Sequence, residues 1–157
     1  MPITPALPET PLALDTVVFT HWRNSQSYVL REIAGHFKRL QFPPALTSMT
    51  IFEALNGIED EEKKNKITKA QAQQYKDKIK ELSKSCIVLP WEQKAAAITA
   101  HIYPRLTGPQ LQKHWKDLFI AATAIAHGYG IATQNIRDFK LIADLTPDLL
   151  RIEVWKP

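Results

Sequence analysis

The sequence predicts an α/β layered fold built on a mostly parallel sheet of four to five strands. Short apolar segments typical of buried strands alternate along the chain with segments whose apolar residues recur at helical spacing. Such alternation favours strand–helix–strand units, in which successive strands run parallel. The 157 residues suffice for one domain with its own core, and neither a repeat nor a linker divides them. We therefore expect residues 12–157 to form a single domain, preceded by a proline-rich extended leader at residues 1–11.

Five segments are predicted to be strands, because each is short, largely apolar and bounded by turn residues. Residues 12–19 follow a proline and contain one acid, Asp15, which we expect at the carboxyl end of a buried strand. Residues 150–155 alternate in type, as an edge strand does. The other three candidates are residues 45–49, 87–89 and 131–133.

Two helices are predicted between the first and third strands. Asn24 or Ser25 is expected to cap the first helix, and residues 42–44, with two prolines, end it. Residues 50–53 read as a capping box that opens the second helix, and Gly57 lies towards its end. The apolar residues at helical spacing are Leu30, Ile33, Phe37 and Leu40 in the first helix, and Ile51, Leu55 and Ile58 in the second.

A charged segment, residues 59–84, follows the second helix. Tyr75, Ile79 and Leu82 fall at helical spacing and predict an amphipathic helix over its second half. Its many lysines are typical of a solvated helical face. They are also compatible with binding of RNA phosphates or with subunit pairing, and the sequence leaves these alternatives open.

Two further helices complete the pattern. Residues 92–103 are rich in alanine and end at Pro104. After an expected loop at Gly108 and Pro109, residues 117–126 carry a stripe of small residues suited to packing closely against a sheet. Gly128 and Gly130 are expected to terminate this helix.

Composition limits the classes of function. The formal net charge of +4 permits a nucleic-acid partner without requiring one. Cys86 is the single cysteine, so an internal disulfide is excluded and a reducing, cytoplasmic setting is expected, with Cys86 itself a buried bystander. No apolar run approaches the roughly 20 residues that a membrane span needs.

Four acids stand out by position: Asp15 at the end of the first strand, Glu53 and Asp117 near helix starts, and Asp138 after the fourth strand. Ligands of open α/β sheets bind at the carboxyl ends of the strands, where the strand order reverses. Carboxylates gathered there would repel one another unless a cation binds or their pKa values rise. Hard divalent ions such as Mg²⁺ or Mn²⁺ take oxygen ligands and assist attack on phosphodiesters. The alternative is that each acid is a helix cap or a surface charge, and Glu53 and Asp117 in particular suit helix starts, where the helix dipole favours acids.

Four segments resemble the PIN domain, in particular the toxin half of bacterial VapBC pairs. They occur in the family's order and span about residues 12–155 together with the terminal strand. The segments are LALDT at 12–16, SMTIFEALNG at 48–57, DLFIAATA at 117–124 and IATQNIRDF at 131–139.

The resemblance implies a three-layer α/β/α PIN-like fold, Mg²⁺ or Mn²⁺ in an acidic pocket, and endonucleolytic cleavage of RNA. It also implies a homodimer and an antitoxin protein that blocks the pocket. By position, Asp15, Glu53 and Asp117 match the first three acids of the family, with Asp138 completing the metal site or positioning the attacking water. Two hydroxyl residues match family supports: Thr16, expected to support the first acid, and Thr133.

Two positions depart from the family pattern. Val17 replaces a common asparagine, which removes a polar support for the first acid, and Asn135 stands where many members carry an aspartate. Asn135 can still offer a carbonyl oxygen or orient a water. These departures motivate a competing hypothesis, a catalytically weakened PIN-like module that binds RNA or a protein.

Other residues carry weaker signals. The five histidines show no zinc-like spacing. His114 lies near Asp117 in the sequence, which is compatible with approach to a substrate, but a loop or surface position is favoured. Arg137 is a candidate phosphate contact, and a surface role fits it equally well. A phosphoryl-accepting signalling domain of similar topology is disfavoured, because it needs an acid pair on the first strand and Asp15 stands alone there.

Overall fold

The computed structural model describes residues 10–157, so most of the predicted leader, residues 1–9, lies outside the described part of the chain. Five short strands form its centre, and all their pairings are parallel. Strand β1 pairs with β4, β4 with β5, and β2 with β3. A parallel bridge between Ala13 and Ala45 joins the two groups, which gives the order β3-β2-β1-β4-β5. The strands are β1 (Leu12–Leu14), β2 (Leu46–Thr47), β3 (Val88–Leu89), β4 (Gly130–Thr133) and β5 (Ile152–Val154).

Helices cover both faces of this sheet, so the predicted three-layer α/β/α fold is confirmed. Leu12 and Leu14 of β1 point into a core packed against the first four helices, whereas Ala13 points into a second core packed against the last three. The helices are α1 (Thr16–Arg23), α2 (Ser27–Leu40), α3 (Ser48–Lys63), α4 (Lys69–Lys84), α5 (Gln93–Ile102), α6 (Gly108–Ala126) and α7 (Arg137–Leu145). A 3₁₀ turn, Tyr103–Arg105, follows α5.

The first strand is shorter than predicted. It ends at Leu14 instead of residue 19, because the Asp15 carboxylate accepts a hydrogen bond from the Val18 amide and caps α1. Residues 17–19 are therefore helical, and Val18 and Phe19 are buried as one side of a helix. Asp15 still lies directly after the strand, where the sequence predicts it.

Two predicted caps are wrong. Asn24 ends α1 and Ser25 has a left-handed φ of 56°, so the residue that precedes α2 is Gln26. Thr50 lies inside α3, and the cap is Thr47, whose side chain accepts from the Thr50 amide. A hydroxyl three residues earlier serves equally well, and the sequence alone did not separate the two.

The largest error concerns α6, which begins at Gly108 and not at Asp117. Thr107 and Gln110 form a capping box, and Pro109 occupies the first turn, where its missing N–H costs nothing. Gly108 and Pro109 are thus helical. The helix ends before Gly128, which has a φ of 77°.

Gly130 belongs to β4 and does not terminate α6. A Cβ there would lie 2.9 Å from the Arg151 carbonyl oxygen and 3.0 Å from the Leu12 side chain. Close approach of neighbouring strands, rather than helix termination, therefore requires this glycine.

The charged segment forms the end of α3 and all of α4, which confirms the amphipathic helix. Ala72, Ile79 and Leu82 are buried against the first core, while Tyr75 is 38% exposed. Ion pairs such as Lys64–Asp60 lie at the surface. Within residues 10–157, none of the helices is long and apolar enough to cross a membrane.

Two polar side chains, Cys86 and His36, have structural roles. Cys86 is partly buried and its thiol bonds the Leu82 carbonyl; burial raises its pKa to about 11, which suits an inert thiol. His36 is fully buried, where its Nε2 accepts from the Leu12 amide and its Nδ1 donates to the Phe42 carbonyl. Burial lowers the pKa of His36, so a neutral ring fastens α2 to β1. The division of the chain into a leader and one domain stays a prediction.

Candidate acidic site

The candidate site lies at the carboxyl ends of β1 and β4. From β1 the chain proceeds to β2 on one side, whereas β4 pairs on the other side, so the strand order reverses between these two strands. Asp15 follows β1, and Thr133 is the last residue of β4. Parallel α/β sheets open a crevice at such a reversal, and Asp15 and Thr133 both lie at this edge, as the sequence predicts.

Asp15 is the most buried of the four acids, with 5% of its surface exposed. One carboxylate oxygen accepts from the Val18 amide at 2.9 Å, and the other accepts from the Thr133 hydroxyl at 2.5 Å. Burial raises the pKa of Asp15 to about 6 in spite of these bonds, and repulsion from Asp138 and Glu53 adds to the rise. Val17 is 47% exposed, and support for Asp15 comes from these two donors instead.

Glu53 reaches the site because α3 is fastened to the end of β1. The buried Thr50 hydroxyl donates to the Leu14 carbonyl at 3.2 Å, and Glu53 follows one turn later on the same side of the helix. The Thr16 hydroxyl donates to Glu53 at 2.7 Å. The expectation that Thr16 supports Asp15 is therefore wrong: α1 turns its first hydroxyl towards α3.

Asp117 projects from the middle of α6. Its carboxylate lies 3.0 Å from Nδ1 of His114, one turn earlier on the same helix. Burial raises the pKa of Asp117 to about 6, and repulsion from Asp138 and Glu53 acts in the same direction, although the hydrogen bond from His114 lowers it. The same two acids thus raise the pKa values of both Asp15 and Asp117, so the four carboxylates form one electrostatic cluster.

The fourth carboxylate of the site, that of Asp138, is positioned by the start of α7. Asp138 lies in the first turn of that helix, and the Asn135 amide nitrogen donates to its carboxylate at 3.3 Å. The Asn135 side-chain oxygen accepts from the Arg137 amide at 3.1 Å, so this oxygen is already engaged. Asn135 therefore orients Asp138, and Asp138 provides the fourth carboxylate of the site. The Arg137 side chain is exposed and forms no ion pair within residues 10–157.

The helix-dipole explanation does not account for Glu53 and Asp117. Glu53 lies in the second turn of α3 and Asp117 in the middle of α6, beyond the first turn in which the dipole acts. Only Asp138 occupies a first turn. Partly buried carboxylates that repel one another destabilise the fold, so a binding role explains the cluster better than a structural one.

Two residues of the site were not included in the predicted set. His114 is not a surface histidine, since only 13% of its side chain is exposed. Its spacing from Asp117 would have paired them if the helix had been recognised as starting at Gly108. Lys116, whose ammonium lies 3.9 Å from the Glu53 carboxylate, carried no distinguishing signal in the sequence.

The geometry admits a metal ion. Ligand atoms of His114, Asp117 and Asp138 lie within 4.8 Å of one another, a span that a single cation can bridge. Carboxylates suit hard divalent cations, and an imidazole nitrogen is better tolerated by Mn²⁺ than by Mg²⁺.

The chain resembles known proteins at both the sequence and the structural level. No family model matches the sequence. Ribonuclease VapC1 of Rickettsia felis is 31% identical over 100 residues, which cover 64% of this chain and 71% of that protein. Among solved structures, VapBC2 of Rickettsia felis bound to a promoter DNA fragment matches with a TM-score of 0.71 and 21% identity over 92% of this chain and 98% of that one. DNA-bound VapBC of Salmonella typhimurium matches with a TM-score of 0.68 and 21% identity over 94% and 99% of the two chains.

The parallel sheet with helices on both faces and acids at its reversal point define a PIN-like protein. The sequence relative narrows this class, because both its identity to the chain and its coverage are substantial. The chain belongs to the VapC family of PIN-domain proteins.

Proposed function

We propose that this protein is a metal-dependent endoribonuclease that hydrolyses RNA phosphodiester bonds and acts as the toxin of a toxin–antitoxin pair. The observation that carries the proposal is the cluster of four carboxylates at the carboxyl edge of β1 and β4, two of them with pKa values raised to about 6. A related protein is named a ribonuclease, and structural neighbours are described as toxin–antitoxin complexes.

Mg²⁺ or Mn²⁺ would be held by carboxylates of Asp15, Glu53, Asp117 and Asp138. With these residues holding it, the ion would supply charge neutralisation at the phosphodiester and an activated water for attack. Carboxylate oxygens are the donors that these ions prefer, and ligand atoms of Asp117 and Asp138, together with His114, lie within 4.8 Å of one another.

The surrounding residues orient the carboxylates. Thr133 and the Val18 amide hold both oxygens of Asp15, and Thr16 holds one oxygen of Glu53. Fixed carboxylates need not reorganise when an ion binds. On the more exposed side of the site, His114 contacts Asp117. Each of these hydrogen bonds restricts the rotation of one carboxylate.

Two cations near the acids are candidate phosphate contacts. The Lys116 ammonium lies over the Trp115 ring, 5.6 Å from its centroid, beside Glu53. Arg137 is exposed one residue before Asp138. Arginine matches the paired oxygens of a phosphate, which supports Arg137 as a contact for RNA entering the site.

The partners that we propose are an antitoxin and a second copy of the chain. The name VapBC and the description "toxin–antitoxin complex" of the structural neighbours support a protein inhibitor. An aromatic patch on α3, α6 and the loop before α5 supports pairing: Phe52, Trp91 and Trp115 are 47%, 40% and 37% exposed. Clustered exposed aromatic residues are typical of interfaces. Light scattering should show a dimer, and Phe52→Glu should yield monomers.

The activity test uses purified protein, single-stranded RNA, and Mg²⁺ or Mn²⁺. We expect cleavage that EDTA abolishes and that Asp15→Asn or Asp117→Asn slows at least roughly 100-fold, since each removes an anionic ligand. Asp148→Asn is the matched control: Asp148 is exposed and has a left-handed φ of 63°, which asparagine also adopts. Undiminished cleavage in both site variants would refute the assignment.

The competing function is a PIN-like module that binds RNA or protein without cleaving. The exposed Val17 and the neutral Asn135 motivate it. Calorimetric titration separates the two functions. A module without a metal site would show no heat of binding with Mg²⁺ or Mn²⁺ at millimolar concentration. Binding of a metal together with RNA cleavage would exclude the module.

A further inference from the structure

A cleft of about 370 Å³, lined by both polar and apolar groups, lies between α1, α3 and α4 and opens beside the acidic site. Glu53 and Thr16 belong to both the cleft and the site. One bound molecule can therefore extend from the cleft to the acids. Its volume is at the small end of ligand pockets, the size of one nucleotide or a few side chains. Its polar lining includes Thr20, Arg23, Asn24, Glu61 and Tyr75.

Arg23 is the unusual group in this cleft. Its guanidinium lies over the Tyr75 ring, 5.6 Å from the centroid, which links α1 to α4. Its Nε is buried and has no hydrogen-bond partner. Among the described residues, this guanidinium forms no ion pair. A permanent cation with a buried, unpartnered N–H group is costly, and an anionic ligand would remove that cost.

The chemistry of the lining identifies the ligand. A guanidinium presents paired donors that match a phosphate, and the part of the Tyr75 ring that Arg23 leaves exposed offers a stacking surface for a base. Glu61 is exposed, where water screens its charge, and its oxygens can accept from base amino groups. An apolar peptide segment would leave Arg23 and the hydroxyl groups of the cleft unpaired.

We propose that this cleft binds one unpaired nucleotide of the RNA next to the scissile phosphodiester, with Arg23 on its phosphate and Tyr75 against its base. The inference rests on the proposed ribonuclease function and adds a substrate subsite to it. Base stacking on Tyr75 requires a base free of its own helix, so single-stranded RNA is the preferred substrate.

The test measures kcat and KM with a fluorogenic single-stranded RNA of mixed sequence and Mn²⁺. Arg23→Ala and Tyr75→Ala should each raise KM roughly 5- to 100-fold, in the range of one lost stacking or phosphate contact, with a smaller change in kcat. Tyr75→Phe should keep a near-normal KM because the ring remains, and Arg23→Lys should fall between Arg23→Ala and the unaltered protein. Arg31→Ala, an exposed arginine on α2, is the matched control and should not change KM.

The outcomes separate the two proposals. If the unaltered protein cleaves RNA and Arg23→Ala, folded by circular dichroism, keeps its KM, the nucleotide subsite is wrong while the ribonuclease stands. If Arg23→Ala keeps its KM and instead loses a co-purified antitoxin, the cleft belongs to the protein partner and the inference is overturned. Absence of cleavage by the unaltered protein under all metals would overturn both.

Discussion

The acidic site has two halves that the fold holds in different ways. In the inner half, Asp15 is 5% exposed and its oxygens are held by the β4 hydroxyl of Thr133 and by a backbone amide. In the outer half, Asp117 and Asp138 are more accessible and are held by single side-chain contacts from His114 and Asn135. Both halves carry an acid whose pKa is raised to about 6.

The difference shows how one cluster divides its work. Packing and backbone fix the inner half before any ligand binds, so its geometry is preorganised at a cost to stability. The outer half is organised by side chains at the surface, where rearrangement is easier and substrate must enter. Changes in the inner half should therefore affect stability and metal binding together, whereas changes in the outer half should affect mainly binding.

The largest expected effect is on stability without metal. In EDTA at pH 7.5, Asp15→Asn should raise the free energy of unfolding by up to about 3 kcal/mol, because it removes a buried charge whose pKa is raised by about two units. Asparagine remains a good N-cap. Asp138→Asn, on the outer half, should change this free energy by less than about 0.5 kcal/mol.

The pH dependence of the free energy of unfolding tests whether the charge of Asp15 causes this effect. The pKa of Asp15 is higher in the folded state, about 6, than its ordinary value of 3.8. The folded protein therefore gains stability as the pH falls through 6, and that gain is complete below 3.8. Urea unfolding between pH 7.5 and 4 should show the advantage of Asp15→Asn shrinking towards low pH. An advantage that is constant with pH would show that the Asp15 charge is not its cause.

The next effect is on metal affinity. Thr133→Val keeps the side-chain shape in β4 and removes the hydroxyl that holds Asp15, so Mn²⁺ affinity should fall roughly 10- to 100-fold. Thr16→Val should cost less, because Lys116 also lies near Glu53. Calorimetry measures both. A larger loss of Mn²⁺ affinity in Thr16→Val than in Thr133→Val would contradict this order.

A smaller effect is expected at His114. His114→Ala should weaken Mn²⁺ binding about tenfold, and the pH of half-maximal binding should move upward, since His114 lowers the pKa of Asp117. His114→Gln, which retains a donor, should recover part of the affinity. His101→Ala, at an exposed histidine of α5, is the control. An unchanged pH midpoint in His114→Ala would mean that the contact does not orient or tune Asp117.

The smallest effect is expected at Asn135. Asn135→Ala should reduce Mn²⁺ affinity about two- to threefold, because it removes one exposed hydrogen bond to Asp138. Asn135→Asp should strengthen binding instead, since it adds an anionic oxygen ligand beside Asp138. Weaker binding in Asn135→Asp would indicate that the amide donor matters more than added charge.

Much of the fold and part of the site could be predicted from local sequence patterns. Short apolar runs bounded by turn residues located all five strands, and the acid within the first run located Asp15 at the sheet edge. Boundaries were less certain, because more than one local signal competed: Thr47 and Thr50 both suit a helix start, and the Gly108–Pro109 pair suits either a loop or a first turn. Because the helix was predicted to begin at Asp117 and not at Gly108, His114 was assigned to a loop or the surface and its contact with Asp117 was not predicted.

The sequence by itself determined the layered α/β class, the parallel strands and the four acids, because apolar periodicity and residue type are local properties of the chain. Only the tertiary structure decided which groups meet. Thr16 turned to Glu53 rather than Asp15, Thr133 reached Asp15 from 118 residues away, and Arg23 came to lie over Tyr75. Those contacts depend on strand order and on how helices pack across the sheet, and such long-range pairings leave no periodic trace in the sequence.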